Sequence, residues 1–243
     1  MGTLLKSIFV LCLAGLLPAA WQKDAFDNDL VLSEGLTEDP QQTAVKQAPF
    51  TVRQGGVNYR VEPLYSYAIE GIVVSFQHHD GDRMLHRVWN DHLNVADLCV
   101  VWGHNASSVN LSEFDFWNGQ FTCVFRTSSN SAWAAFRLDQ ISNNHLLSED
   151  EWVRDRIEDL RIGDQVRLQG YLASYSNSSG FERGTSTTRN DTGNGACETL
   201  YVEDVQIIAR MNEAWHLTYA GAWWGMLGSA LAWLLGVMSG KIR

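Results

Sequence analysis

The chain has 243 residues, a formal net charge of -10 at pH 7 and ten tryptophans. That length suits one folded domain with additional segments rather than two full domains. The acidic balance repels phosphate backbones, so nucleic acid is not an expected partner, while the 45% hydrophobic content is enough for a real core.

At the start, Lys6 precedes an uncharged run from Ser7 to Gln22 with the apolar centre IFVLCLAGLLPAA. A basic residue, a short apolar stretch and small residues near Ala20 form the pattern of a signal peptide. Residues 1–20 are therefore expected to be a signal peptide or an uncut N-terminal membrane anchor. Cys12 lies inside this run with the small residues after it, the reverse of a lipoprotein signal. Trp21 to Phe50 carries six acidic residues against Lys23 and Lys46, without sustained periodicity, and residues 21–56 are expected to be an acidic disordered tether.

The folded domain is expected over 57–210. YSYAIEGIVVSF, Tyr65 to Phe76, is rich in β-branched and aromatic residues and broken by Gly71, which predicts a long bent strand. HHDGDRMLHRVWNDH, His78 to His92, then gathers four of the chain's seven histidines with Asp80, Asp82 and Asp91. It predicts a loop in which Asp82 caps a short helix, with Met84, Leu85, Val88 and Trp89 packed on the domain and His86 and Asn90 flanking that face. ADLCVVWG, Ala96 to Gly103, and GQFTCVFRT, Gly119 to Thr127, predict the second and third strands. Next, Trp133, Phe136, Leu138 and Ile141, and then Trp152, Val153, Ile157 and Leu160, fall at helical spacing, with Ser148 and Glu151 as a capping box for the second helix. Strands return after the Gly163-Asp164 turn, where Val166, Leu168, Gly170 and Leu172 alternate with more polar residues. ETLYVEDVQIIA, Glu198 to Ala209, predicts a last strand bulged near Glu203 and Asp204.

Three strands, a helical connection and two strands set the expected fold class: mainly β with a helical insertion, an OB-like five-stranded barrel, against another small β-barrel or an α+β sandwich. WNDHLNVADLCVVWG, FDFWNGQFTCVF and GTSTTRNDTGNGACETLYVEDV also resemble a family of uncharacterised bacterial membrane-anchored proteins with an OB-fold-like extracytoplasmic domain. That resemblance implies no activity and transfers no functional residue.

From Ala214 to Gly240 there is no Asp, Glu, Lys or Arg, enough chain to cross a hydrocarbon layer that needs about 20 residues. Trp215, Tyr219, Trp223 and Trp224 form an aromatic belt, and Lys241 and Arg243 close the span. Residues 214–240 are expected to be a transmembrane helix with a short cytoplasmic tail. The main domain is then periplasmic, the N-terminus lies on the inner side with Lys6, and the inner (cytoplasmic) membrane is the first partner. Gly221, Gly225, Gly228 and Ser229 place small residues along the helix, where a homo-oligomer can pair.

Four groups of residues are candidates for chemistry. His79, His86, Asp191 and Cys197 are the catalytic candidates. His78, His86 and His92 are the metal candidates, with His104 and His145 as additions from other loops. Adjacent histidines at a strand end point to opposite sides, and no HExxH or CxxC pattern is present, so neither metal nor cofactor is expected. Arg183, Ser186, Thr187, Arg189 and Asn194, in the long polar connection before the last strand, are suited to an anion. Trp102 and Trp117, with Phe114, Phe116 and Phe121, offer rings for stacking or for the core. Cys99 and Cys123 are either buried thiols or a disulfide, and any pairing leaves one cysteine over. The expected function is a membrane-tethered binding or assembly module for an envelope partner or small ligand. The alternative is a periplasmic hydrolase or metalloenzyme.

Overall fold

The computed structural model describes residues 2–26, 30–119, 121–188 and 197–242. It separates into two units, Met1–Phe26 with Met211–Arg243, and Asp27–Arg210. The first helix, α1 (Gly2–Gln22), is apolar and carries Pro18 near its end.

The second unit starts earlier than the expected 57. A 3-10 turn at Glu34–Thr37 buries Leu36 completely, and β1 (Gln41–Ala44) and β2 (Phe50–Gln54) both pair antiparallel with β3 (Val57–His78). The disordered tether expected over 21–56 is corrected to that extent. β1 is polar and shows no apolar periodicity, but neighbours hold it: it pairs with 65–68, and Gln42 Nε2 donates to the Thr187 carbonyl at 3.0 Å.

One edge of β3 pairs with β8 (Gln165–Asn177) through Tyr59–Ile72, and its far end, Ile72–His78, pairs with β4 (Asn94–Val101). Between these in chain order come α2 (Met84–Trp89), α3 (Gly103–Ser107), a hairpin of β5 (Phe114–Gly119) and β6 (Thr122–Thr127), α4 (Asn130–Ala135), β7 (Ile141–Leu147) and α5 (Glu151–Glu158). After β8 follow β9 (Glu182–Arg183), β10 (Glu198–Ala209) and α6 (Glu213–Met238). β4 pairs with β7, β7 runs parallel to β10, β10 pairs with β8, and β8 returns to β3. β1, β2 and β9 widen this sheet, and the β5–β6 hairpin forms a sheet of its own. The second unit is mainly β, more elaborate than a plain five-stranded barrel.

Two expectations change here. The predicted third strand belongs to the separate hairpin, and the strand that follows β4 in the main sheet is β7, inside the segment read as helical connection. Its sequence, ISNNHLL, is polar at Ser142, Asn143, Asn144 and His145, all of them buried. Tertiary partners override propensity at this strand: Asn144 Nδ2 donates to the Leu98 carbonyl at 3.3 Å and Asn143 Oδ1 accepts from Asn118 Nδ2 at 3.3 Å. The helix expected over 133–141 shrinks to α4, and α5 is capped by Asp150, whose side chain accepts from Val153 N at 3.1 Å, rather than by Ser148.

Ile69, Val73, Leu98, Val100, Leu146, Leu168, Leu200 and Val202 fill the sheet's interior, and Val153, Ile157 and Leu160 of the α5 region pack against them. β10 is bulged between Val202 and Asp204, opposite Gly170. A Cβ at Gly170 would lie 2.0 Å from the Tyr201 carbonyl oxygen, backbone that cannot swing aside. Gly170→Ala is therefore expected to cost about 3 kcal/mol, read as the shift in urea midpoint of the full-length protein in detergent. An unchanged midpoint would mean that the bulge yields freely.

Asp164, in the turn before β8, is fully buried; its Oδ2 accepts from Arg161 N at 3.0 Å and from Arg210 Nη1 at 3.4 Å. Burial pushes this carboxyl up to about 6, against the opposing charge of Arg210. A carboxyl raised by folding contributes stability that is full below its unfolded pKa and lost as pH rises through about 6. The thermal midpoint of Asp164→Asn should therefore fall less than that of wild type between about pH 5 and about pH 7.5. Parallel pH profiles for the two proteins would contradict this.

In the first unit, α1 and α6 are the two helices long and apolar enough to cross a membrane. They pack on each other. Asn212 Nδ2 donates to the carbonyls of Gln22 and Ala25 at 3.0 and 2.6 Å, Lys6 lies over the Trp233 ring, and Gly225 faces the Cys12 sulfur. Gly221 and Gly228 face open space.

Candidate functional site

A buried knot of histidines and aspartates forms where β3 ends, beside β4 and β7. Asp97, on β4, is fully buried; its Oδ1 accepts from His145 Nδ1 on β7 at 2.5 Å, and His79 Nε2 stands 2.9 Å from the same oxygen at a poor hydrogen-bond angle. Burial alone would raise the Asp97 carboxyl. The hydrogen bond from His145 and the close approach of both imidazoles override it and hold the group well below the usual carboxylate range. An anionic Asp97 calls for a proton on the ring nitrogen that faces it, Nδ1 of His145 and Nε2 of His79.

A second pair lies alongside. His86 Nδ1 is 3.1 Å from Asp91 Oδ2, which also accepts from the buried Tyr175 hydroxyl at 2.9 Å. The Tyr175 hydroxyl is raised well above its ordinary value, first by burial and then by the Asp91 charge, so it remains a donor. The His79 and His86 rings are 4.1 Å apart at their centroids, bringing the two pairs into contact.

The His78–His92 segment reaches this position by contacts with the sheet. Asn90, in left-handed conformation with φ 50°, ends α2. Tyr59 donates to the Asn90 carbonyl and accepts from His92 N, and Asn177 Nδ2 donates to the Trp89 carbonyl at 2.8 Å. The orientation of α2 differs from expectation: Met84 and Val88 are 87% and 72% exposed, while His86 is buried. Pairing with Asp91 buries the polar face at the expense of the apolar one.

Phe121 is the centre of the knot. It stands at the turn of the β5–β6 hairpin with φ 57°. Its ring centroid is 6.1 Å from His79, 5.6 Å from His86, 6.1 Å from His145 and 5.3 Å from Trp89, with the Arg183 guanidinium 4.4 Å over its face. A disulfide between Cys99 of β4 and Cys123 of β6, Cα atoms 5.7 Å apart, fastens the hairpin to the main sheet. A cleft of about 520 Å³ opens here, lined among others by His78, His79, Arg83, His86, Asn118 and Phe121. Another cleft, of about 290 Å³ beside Ala106–Leu111, has no titratable side chain in its lining.

The other candidates scatter. His78 stands at the cleft rim, and His92 and His104 stay outside the knot; among the described residues no group of three or more His, Cys, Asp or Glu is placed to hold a metal ion. Cys197 borders the knot, where its thiol donates to the Phe121 carbonyl at 3.4 Å and accepts from Asn143 Nδ2 at 3.6 Å. Burial raises this thiol, which keeps it protonated and a poor nucleophile. Trp102 is 2% exposed within the core, and Trp117 lies on the hairpin under Arg126. The Ser186 hydroxyl donates to the Thr188 carbonyl, and Thr187 offers its carbonyl to Gln42, so both serve to pin the chain rather than line the cleft. Asp191, Arg189 and Asn194 lie outside the described residues.

Sequence reading missed Asp97, Asp91, Asn118 and Tyr175 and undervalued His145. One signal was present: an aspartate in the middle of NVADLCVV, a strand buried at every position, requires a partner. No family model, curated protein or solved structure matches this chain.

Proposed function

We propose that this chain is a membrane-tethered binding module: an OB-like barrel on the periplasmic side of the cytoplasmic membrane, with its ligand face at the His79–His86–Asp97–His145 knot. The cycle β3–β4–β7–β10–β8–β3, with α5 joining β7 to β8 in the chain, supports the barrel reading. The observation that carries the functional reading is where the knot lies. OB barrels bind ligands on their second and third strands and on the loops after the first and fourth. Asp97 and His145 come from β4 and β7, His86 from the segment after β3, and Arg183 from the segment after β8.

The apolar helices α1 and α6 support the tether, and Lys6 and Lys241 at their outer ends favour cytoplasmic termini. Binding is preferred to hydrolysis because the cleft brings an oriented histidine, His86, to no activated nucleophile among the described residues, Cys197 being held as a thiol.

A photo-crosslinking residue at Met84, on the cleft lining, tests this in intact membranes, with the exposed Val31 as control position. Adducts from position 84 that are absent from position 31 are expected. Equal labelling at both positions, or none at position 84, would overturn the reading.

A further inference from the structure

The Phe121 ring occupies the middle of a polar nest that it cannot satisfy. His86 and Arg183 meet the ring and Asn118 lines the same cleft; His86 Nε2, Arg183 Nη1 and Asn118 Oδ1, with Asp97 Oδ2 in the knot, are buried and make no hydrogen bond among the described residues. Buried polar atoms ordinarily find partners, and leaving several unpaired around one phenyl ring is costly. The backbone at Phe121 is also strained, because φ 57° is rarely adopted by a bulky side chain. Strain and unmet polarity coincide at one residue.

The unmet atoms have definite roles. His86 directs its Nδ1–H to Asp91, so its Nε2 is an acceptor. The Asn118 amide donates to the Asp97 carbonyl and to Asn143 Oδ1, so Asn118 Oδ1 is an acceptor. Asp97 Oδ2 accepts as well, and the Arg183 guanidinium only donates. His86 Nε2, backed by the Asp91 carboxylate, and Asn118 Oδ1 are thus acceptors on residues that line the cleft with Phe121, and one cationic fork, Arg183, lies over the ring's face. We infer that Phe121 is a built-in plug in the seat of a compact zwitterion, a ligand the size of the ring that carries an ammonium group beside an acidic group, as an amino acid does. The ammonium would donate to His86 Nε2 and Asn118 Oδ1, and the acid would face Arg183. The Cys197 thiol on the Phe121 carbonyl and the Cys99–Cys123 disulfide hold the plug in place.

This inference rests on the ligand-face reading above. Its test uses full-length protein in detergent, with Phe121→Ala and with Phe121→Gly, which also relieves the positive φ. Calorimetric titration with glycine, methylamine and acetate reads the binding. Glycine should bind both variants at least tenfold tighter than wild type, and at least tenfold tighter than either half-molecule. Arg183→Gln in the Phe121→Gly background should remove the preference for glycine over methylamine. Folded variants that bind no probe, or that bind acetate or methylamine as well as glycine, would overturn the inference. A second readout needs no change at Phe121: in a Cys12→Ser background, saturating glycine should speed alkylation of Cys197 at least fivefold, because expelling the ring frees its thiol. An unchanged rate counts against the plug. Crosslinks from position 84 that persist while no probe binds would reject the zwitterion and leave the ligand face standing; loss of both would reject the face.

Discussion

Asp97→Ala is expected to destabilise the protein by about 4 kcal/mol, the largest effect of any single change in the site, because it removes one member of a buried charge network and leaves the others unpaired. His145 Nδ1 and His79 Nε2 would both lose the oxygen they share, and both side chains are only 5% exposed. Asp97→Asn keeps the shape and one carbonyl oxygen, so it should recover part of the loss. The pH dependence gives a check that simple cavity formation would not. The Asp97 carboxyl is depressed by folding, so its contribution is present above the unfolded value and is lost as pH falls through the folded one. The stability difference between wild type and Asp97→Ala, measured by urea unfolding, should therefore be constant near neutral pH and narrow below about pH 4. A difference that does not change with pH would assign the loss to packing alone.

Removing the disulfide, as Cys99→Ser with Cys123→Ser, should cost about 3 kcal/mol, since it opens a cross-link of sequence separation 24. Among the described residues the β5–β6 hairpin shares no strand pairing with the main sheet, so this bond is its covalent hold on β4. Loosening the hairpin should carry Phe121 out of the knot. The second readout is therefore local: alkylation of Cys197 should accelerate in the double variant even under conditions where the main sheet remains folded. If melting and alkylation both match wild type, the hairpin is held instead by its rings Phe114, Phe116 and Phe125 packed on Phe136, just after α4, with centroids 4.8 to 6.4 Å apart.

The elements legible in the sequence were those whose evidence is local. β8 alternates and follows a Gly-Asp turn, β10 bulges at the Glu203-Asp204 pair, and α1 and α6 are built on the long uncharged stretches 7–22 and 214–240. β7 was not legible, because its asparagines and histidine become strand residues only when β4 and the hairpin supply partners. β1 failed for the same reason. In the site, His79 and His86 stood out through the density of histidines around them, but their partners lie at distant positions: Asp97 is 18 residues after His79, and Tyr175 is 84 after Asp91.

Two membrane-length helices, the β character of the middle and a histidine-rich segment beside it follow from local sequence, since hydrophobic period and residue type act over a few neighbours. Which histidines matter depends on the folded chain. Strand pairing placed Asp97 between His79 and His145, loop anchoring through Tyr59, Tyr175 and Asn177 turned His86 inward, and the Cys99–Cys123 bond set Phe121 among them. Buried charges and unmet hydrogen bonds are properties of what surrounds a residue, and those surroundings are assembled by the fold.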